Sequence, residues 1–211
     1  KMKAGIGLIV VLLFVGGALC QTPIKPVWPD GWSASVSVER EDGHYFFRWF
    51  WDAPGNRDRI DGISVYRDEP YFGTRLFLHG ESKEYAIFYQ GGLVTCFTYK
   101  INDTLPKPDF SGLEYRGKAL IDYVPAWHWE YFDRNTSIIY QVYDRQDNRE
   151  VLRMDFDDPR RGRAESWHFH EFDAGTQDAS LFKIEDAVLA TCNDTPPPNI
   201  TRSFHKVHVS D

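Results

Sequence analysis

The sequence predicts an all-β fold with minor α content, built mainly as one large antiparallel sheet. Three observations carry this. From about Ser33 onward the apolar residues recur with period two rather than 3.6. Runs of this kind are short and are separated by clusters of Asp, Asn and Gly. The chain is 42% hydrophobic and 16% aromatic, which supplies apolar surface for a real core and excludes intrinsic disorder through the middle.

Taken in order, residues 21–32 carry Pro23, Pro26 and Pro29 with Trp28 and Trp32, and read as an extended lead-in. Ser33 to Glu39 sets Ala34, Val36 and Val38 against Ser35 and Ser37. His44 to Asp52 sets Tyr45, Phe47, Trp49 and Trp51 on one face and Phe46, Arg48 and Phe50 on the other. Asp52 to Asn56 is a turn by composition. Strands are expected at 59–66, 74–78, 83–90 and 93–100, with Gly91-Gly92 as a tight hairpin turn. A polar, proline-containing loop at 102–111 divides the chain. Strands resume at 114–124, 126–132, 136–143, 150–156 and 165–172, the second alternating Trp127, Trp129 and Tyr131 with His128 and Glu130. Ala179 to Ala190 has the only helical character, and a Pro-rich flexible tail occupies 194–211.

The N-terminus reads as a secretion signal over residues 1–20. Lys1 and Lys3 precede an apolar run from Ile6 to Val15, and Ala18-Leu19-Cys20 offers a small-x-small cleavage pattern before Gln21. The run is short for a membrane span, and no second one follows. Cleavage leaves Cys96 and Cys192, which in an oxidising compartment most simply form one disulfide. Four N-x-[ST] sequons, at Asn102, Asn135, Asn193 and Asn199, fit a glycoprotein of the extracellular space or the secretory and endolysosomal lumen. Pro196 disfavours use of the third. A formal net charge of −7 argues against nucleic acid and against docking on anionic membrane surfaces.

Between Leu105 and Phe172 a wider pattern emerges. Pro106-Lys107-Pro108-Asp109-Phe110-Ser111-Gly112-Leu113-Glu114-Tyr115-Arg116-Gly117 leads to Trp127-x-Trp129, and then to a strand with Tyr140 and Tyr143. An Arg153-bearing strand and His168-Phe169-His170-Glu171-Phe172 complete the order. Arg57-x-Arg59-Ile60-Asp61 lies upstream, and Gln177-Asp178-x-x-Leu181-Phe182 precedes Cys192. This arrangement resembles the LolA-like domain of ependymin-related proteins, and also the non-catalytic N-terminal domain ahead of some papain-like cysteine proteases. The resemblance covers about residues 32–193, with the domain itself at 33–193. It implies a strongly curved antiparallel sheet, a half-open barrel with short helical segments and an apolar pocket on its concave side. Relatives often carry another cysteine shortly before the tryptophan, where this chain has Val124-Pro125-Ala126.

No motif for a catalytic nucleophile, phosphate loop or zinc protease is present, so the chain reads as a binding protein and not an enzyme. His168 and His170 share a strand face and are weak candidates for a transition metal if His128 or Glu130 converges on them; an exposed polar face is the simpler reading. Asp155, Asp157 and Asp158 lack the spacing of a calcium loop, so calcium is a minor expectation and no other cofactor is implied. The basic cluster Arg160, Arg161 and Arg163 reads as a solvated turn. The aromatic excess remains: strands with large apolar residues on both faces need cover from packed elements, a partner or a ligand. The leading expectation is a lipid or other hydrophobic ligand, with Trp49, Trp51, Trp127 and Trp129 lining its pocket. The alternatives are a pro-domain-like partner of a cysteine protease and a self-associating structural glycoprotein.

Overall fold

The computed structural model describes residues 22–66, 69–105 and 107–194. The expected signal segment, Asn199 and the tail beyond Asp194 lie outside them. Twelve strands form among the described residues: β1 (Gly31–Arg40), β2 (Gly43–Asp52), β3 (Arg57–Tyr66), β4 (Glu69–Leu78), β5 (Lys83–Gln90), β6 (Leu93–Lys100), β7 (Glu114–Ile121), β8 (Val124–Phe132), β9 (Ile139–Arg145), β10 (Val151–Asp158), β11 (Arg163–Ala174) and β12 (Cys192–Asn193). All belong to one sheet in the order β12-β6-β5-β4-β3-β2-β1-β11-β10-β9-β8-β7. Two meanders, β1 to β6 and β7 to β11, are joined by antiparallel pairing of β1 with β11. The curved, open antiparallel sheet that the resemblance implies is the architecture observed.

Alternation fixes which side chains share a face. Trp32, Ala34 and Val36 of β1 stand opposite Trp51, Trp49 and Phe47 of β2, while Val36 and Val38 face Phe169 and Trp167 of β11. These residues form one buried cluster that runs from Phe77 on β4 to Trp129 on β8. Those strands are seven places apart, about 34 Å on a flat sheet at ~4.8 Å per strand. Curling about this cluster lets both meanders bury apolar faces on the same filling.

That filling is not helical. The connection 101–113 leaves β6 near one edge of the sheet and crosses the inner face to β7 at the other edge. It buries Phe110 and Leu113 and packs Ile101 and Leu105 against the cluster. The lead-in adds Trp28, whose ring meets Trp32 at 5.1 Å and Phe110 and Phe169 at 6.0 Å, all edge-on. Edge-to-face geometry suits aromatic quadrupoles and adds about 0.5–1.5 kcal/mol per pair beyond area burial.

The short helical segments, expected on the concave side, occupy the opposite face. Helical character at 179–190 resolves into a 3₁₀ turn, Ala179–Phe182, and one α-helical turn, Asp186–Leu189. Phe182 lies 4.4 Å beneath the Arg57 guanidinium, and Arg59 Nη1 donates to the Leu181 carbonyl at 2.8 Å. Arg57, Arg59 and Cys96 all project away from the aromatic cluster. The segment therefore runs over the outer face to deliver Cys192 to Cys96. The two cysteines are bonded, and β12 pairs in parallel with β6 beside them.

Candidate functional site

Three of the four tryptophans expected to line a pocket are core. Trp49, Trp51 and Trp129 are buried, and Trp127 is half-buried against the same cluster. Two carry buried acceptors: Trp49 Nε1 donates to Asp58 at 3.0 Å and Trp129 Nε1 to Asp144 at 2.6 Å. Neither cleft described below is lined by any of the four. The physical reason is the filling: chain segments already occupy the concavity these rings face.

Under the 101–113 connection lies a small apolar void, about 30 Å³, between Phe110, Tyr131, Met154 and Phe156. That volume holds about one water. A larger cleft of about 330 Å³ lies where the lead-in meets the ends of β10 and β11. Ile24, Val27 and Pro29 form one wall, and Asn148, Arg149 and Glu150 of the β9–β10 turn, with Val151 at the start of β10, form another. Phe172 and Ala174 at the end of β11 complete it.

Two irregularities in the strands build this cleft. Opposite β1 the register shifts between Ser33 and Ser35, so that Glu171, at φ 50°, and Phe172 face the single residue Ala34. Such a bulge re-aims the residues after it. It turns Phe172 to the inner side, stacked on Trp32 at 5.2 Å. A second shift between Val151 and Arg153 in β10 brings Val151 inward, where it is buried. Gly31 allows the lead-in to enter β1 at this point, because a Cβ there would lie 2.5 Å from the Gly175 carbonyl oxygen.

Polar groups hold the walls together. Arg149, with φ 65°, donates through Nε to Asp144 and through Nη2 to the Ile24 carbonyl at 2.6 Å. It thereby ties the β9–β10 turn to the lead-in. The Asp144 side chain is fully buried, and this burial raises its pKa against the opposing hydrogen bonds from Arg149 and Trp129. Lys25 reaches from the lead-in to the Ser111 carbonyl, and Lys107 pairs with Asp30 at 2.8 Å. The indole N–H groups of Trp28, Trp32 and Trp51 are buried without an acceptor among the described residues.

The remaining sequence candidates are dispersed. His168 and His170 stack at 6.3 Å on the outer face, with His170 Nε2 2.9 Å from Ser37 Oγ and His168 3.8 Å from Asp122. His128 instead stacks on Tyr143 at 4.6 Å, and Glu130 takes Arg116. Among the described residues no three His, Cys, Asp or Glu side chains form a metal-holding group. Asp155 accepts from Arg153 at 2.7 Å, while Asp158 and Arg161 pair within their own turn. Arg160 donates to the Asn135 carbonyl. Asn102, Asn135 and Asn193 are exposed.

The lead-in wall was hidden in the sequence. Ile24, Val27 and Pro29 fall in a proline-rich stretch with no periodicity, and nothing local marks Arg149 as the residue that fastens it.

No model of a known protein family matches the chain, and no curated protein matches it. Similar solved structures include an uncharacterized conserved protein from Thermus thermophilus. It is 14% identical at a TM-score of 0.53, over 79% of this chain and 91% of that one. The MucA/MucB complex of Pseudomonas aeruginosa gives 0.45 at 13% identity, over 78% of this chain and 58% of that one. The LolA superfamily protein NE2245 from Nitrosomonas europaea gives 0.34 at 8% identity, over 75% and 92%. Of these three, the Thermus protein is near enough to show a shared fold; the other two scores are too low to carry weight.

Proposed function

We propose that this chain is a non-catalytic, exported glycoprotein that holds a hydrophobic ligand in the cleft between its lead-in and the inner face of the sheet. The observation that carries the proposal is the cleft itself, about 330 Å³ with Ile24, Val27, Pro29, Val151, Phe172 and Ala174 in its walls. Its size lies at the lower end of the ~300–1,000 Å³ usual for small-molecule sites. Removing an acyl chain from water gains about 0.8 kcal/mol per buried methylene, so a twelve-carbon chain offers roughly 9 kcal/mol before the costs of association. The resemblance of 105–172 to ependymin-related domains points the same way, and export would place glycans on the exposed Asn102 and Asn135.

Titration of the delipidated protein with a fluorescent fatty acid tests the proposal. Saturable binding in the micromolar range is expected, weakened about tenfold or more by Val27→Glu, since an ionised carboxylate would stand in the apolar wall. Val27 is 76% exposed, so the substitution leaves the melting temperature unchanged. Absence of saturable binding below about 100 μM, that is a binding free energy weaker than about 5.5 kcal/mol, would contradict it.

One observation favours a second reading, in which a protein partner or second copy docks on the outer face. Phe46, Ile63, Phe72 and Tyr89 are 63%, 57%, 51% and 40% exposed. Ile63 faces Phe72, Phe72 faces Tyr89, and Phe46 lies one step beyond the Phe47–Gly62 pair. They form one apolar row across four strands, of the kind found at interaction sites.

A further inference from the structure

We propose that the cleft selects an amphiphile whose head only accepts hydrogen bonds, an acyl chain ending in a carboxylate or ester, and rejects one with a cationic, donating head. This rests on the ligand-binding reading above and adds the chemistry of the head group.

The first observation is the balance of donors and acceptors on the rim. Lys25 gives one hydrogen bond, to the Ser111 carbonyl, and its other ammonium N–H groups have no acceptor among the described residues. Arg149 uses Nε on Asp144 and Nη2 on the Ile24 carbonyl, which leaves Nη1 and the second N–H of Nη2. Asn148 spends its amide oxygen on the Glu150 N–H at 3.1 Å, and its NH₂ group has no acceptor among the described residues. Against these donors stand Glu150 on the rim and Asp109, which lies within electrostatic reach of Lys25 but already accepts two hydrogen bonds from Ser111; Asp144 is already paired.

The second observation is independent and lies behind the apolar lining. Trp28 sits between Val27 and Pro29, both of which line the cleft, and Trp32 stacks on Phe172, which also lines it. Trp51 stacks on Trp32 at 5.9 Å. All three indole N–H groups are buried without an acceptor among the described residues, a state that native interiors seldom leave unresolved. The lining therefore backs onto surplus donors, a setting that favours an acceptor head in the cleft, whereas an ammonium group only adds to their excess. Long-range electrostatics cannot produce this preference, because a chain with net charge −7 attracts cations.

The test compares dodecanoate, dodecanol and dodecylammonium, each titrated calorimetrically into the delipidated full chain at neutral pH. Dodecanoate is expected to bind at least tenfold more tightly than dodecylammonium, with dodecanol between them, and Lys25→Glu is expected to erase most of that ratio. Equal binding of the three, or tighter binding of the amine, overturns the head-group inference and leaves the apolar cleft standing. A ratio unchanged by Lys25→Glu overturns the placement of the head at this rim. Saturable binding by none of the three overturns the ligand-binding reading itself.

Discussion

Replacing Cys96 by Ala and Cys192 by Ser together is expected to lower stability by roughly 4–5 kcal/mol, the loop-entropy contribution of so long a cross-link. The bond spans a sequence separation of 96 residues. It also holds β12 against β6 and fastens the segment that lays Phe182 under Arg57. For a domain of this size such a loss lowers the melting temperature by about 10–20 °C. Denaturant unfolding with and without reductant checks it. The wild-type protein under reduction should match the double variant, and a loss below about 1 kcal/mol would mean that the denatured chain gains little freedom from the cut.

The second large effect concerns a buried histidine. His79 lies in a single 3₁₀ turn, His79–Glu81, after β4, and its side chain and that of Asp58 are both 0% exposed. Its Nε2 is 3.0 Å from Asp58 Oδ1, and its Nδ1 is 3.0 Å from the Asp103 carbonyl oxygen. A carbonyl cannot donate, so Nδ1 carries a proton, and a second proton must lie between Nε2 and Asp58. Burial works against the charged ring, but the hydrogen bonds to Asp58 and to the Asp103 carbonyl outweigh it and leave the pKa raised.

The sign of the pH effect follows from that direction. A raised folded-state pKa gives stability that is complete below the unfolded value of about 6.5 and is lost as pH rises through the folded value. Chemical unfolding across neutral to alkaline pH should therefore show wild type losing stability relative to His79→Leu. At acidic pH the variant should be less stable by about 3–5 kcal/mol, because it removes the charged ring that faces the buried Asp58 carboxylate. A wild-type advantage that stays constant or grows with pH would show that the ring is held neutral. The same bond pins Asp103, and with it the start of the connection that fills the inner face.

Much of the sheet is written in the chain's alternation. The runs at 33–39, 44–52, 83–90 and 93–100 and the Gly91-Gly92 turn correspond to β1, β2, β5, β6 and the hairpin between the last two. Period two shows that Trp49 and Trp51 share a face, but not what covers that face. Here the cover is Trp28 and Phe110, from segments with no period at all. The bulges at Glu171 and before Arg153 were equally silent, since an extra residue in a strand has no compositional mark, yet they place Phe172 and Val151 at the cleft. Strand boundaries shifted where polar side chains ended pairing. Residues 136–138 belong to a turn closed by Asp133, whose N–H bonds the Ile138 carbonyl, so β9 starts at Ile139. His79 stood outside every periodic run, and only the fold brings Asp58 and Asp103 to it.

The proposed ligand is expected at the lead-in cleft and not on the exposed aromatic row. A dodecanoate analogue with a terminal diazirine, photolysed on the delipidated protein and mapped by peptide mass spectrometry, distinguishes the two directly. Labelling is expected within 24–29, 148–151 and 172–174, and it should be displaced by unlabelled dodecanoate. Displaceable labelling confined to Phe46, Ile63, Phe72 and Tyr89 would contradict the cleft and favour an outer-face docking surface instead.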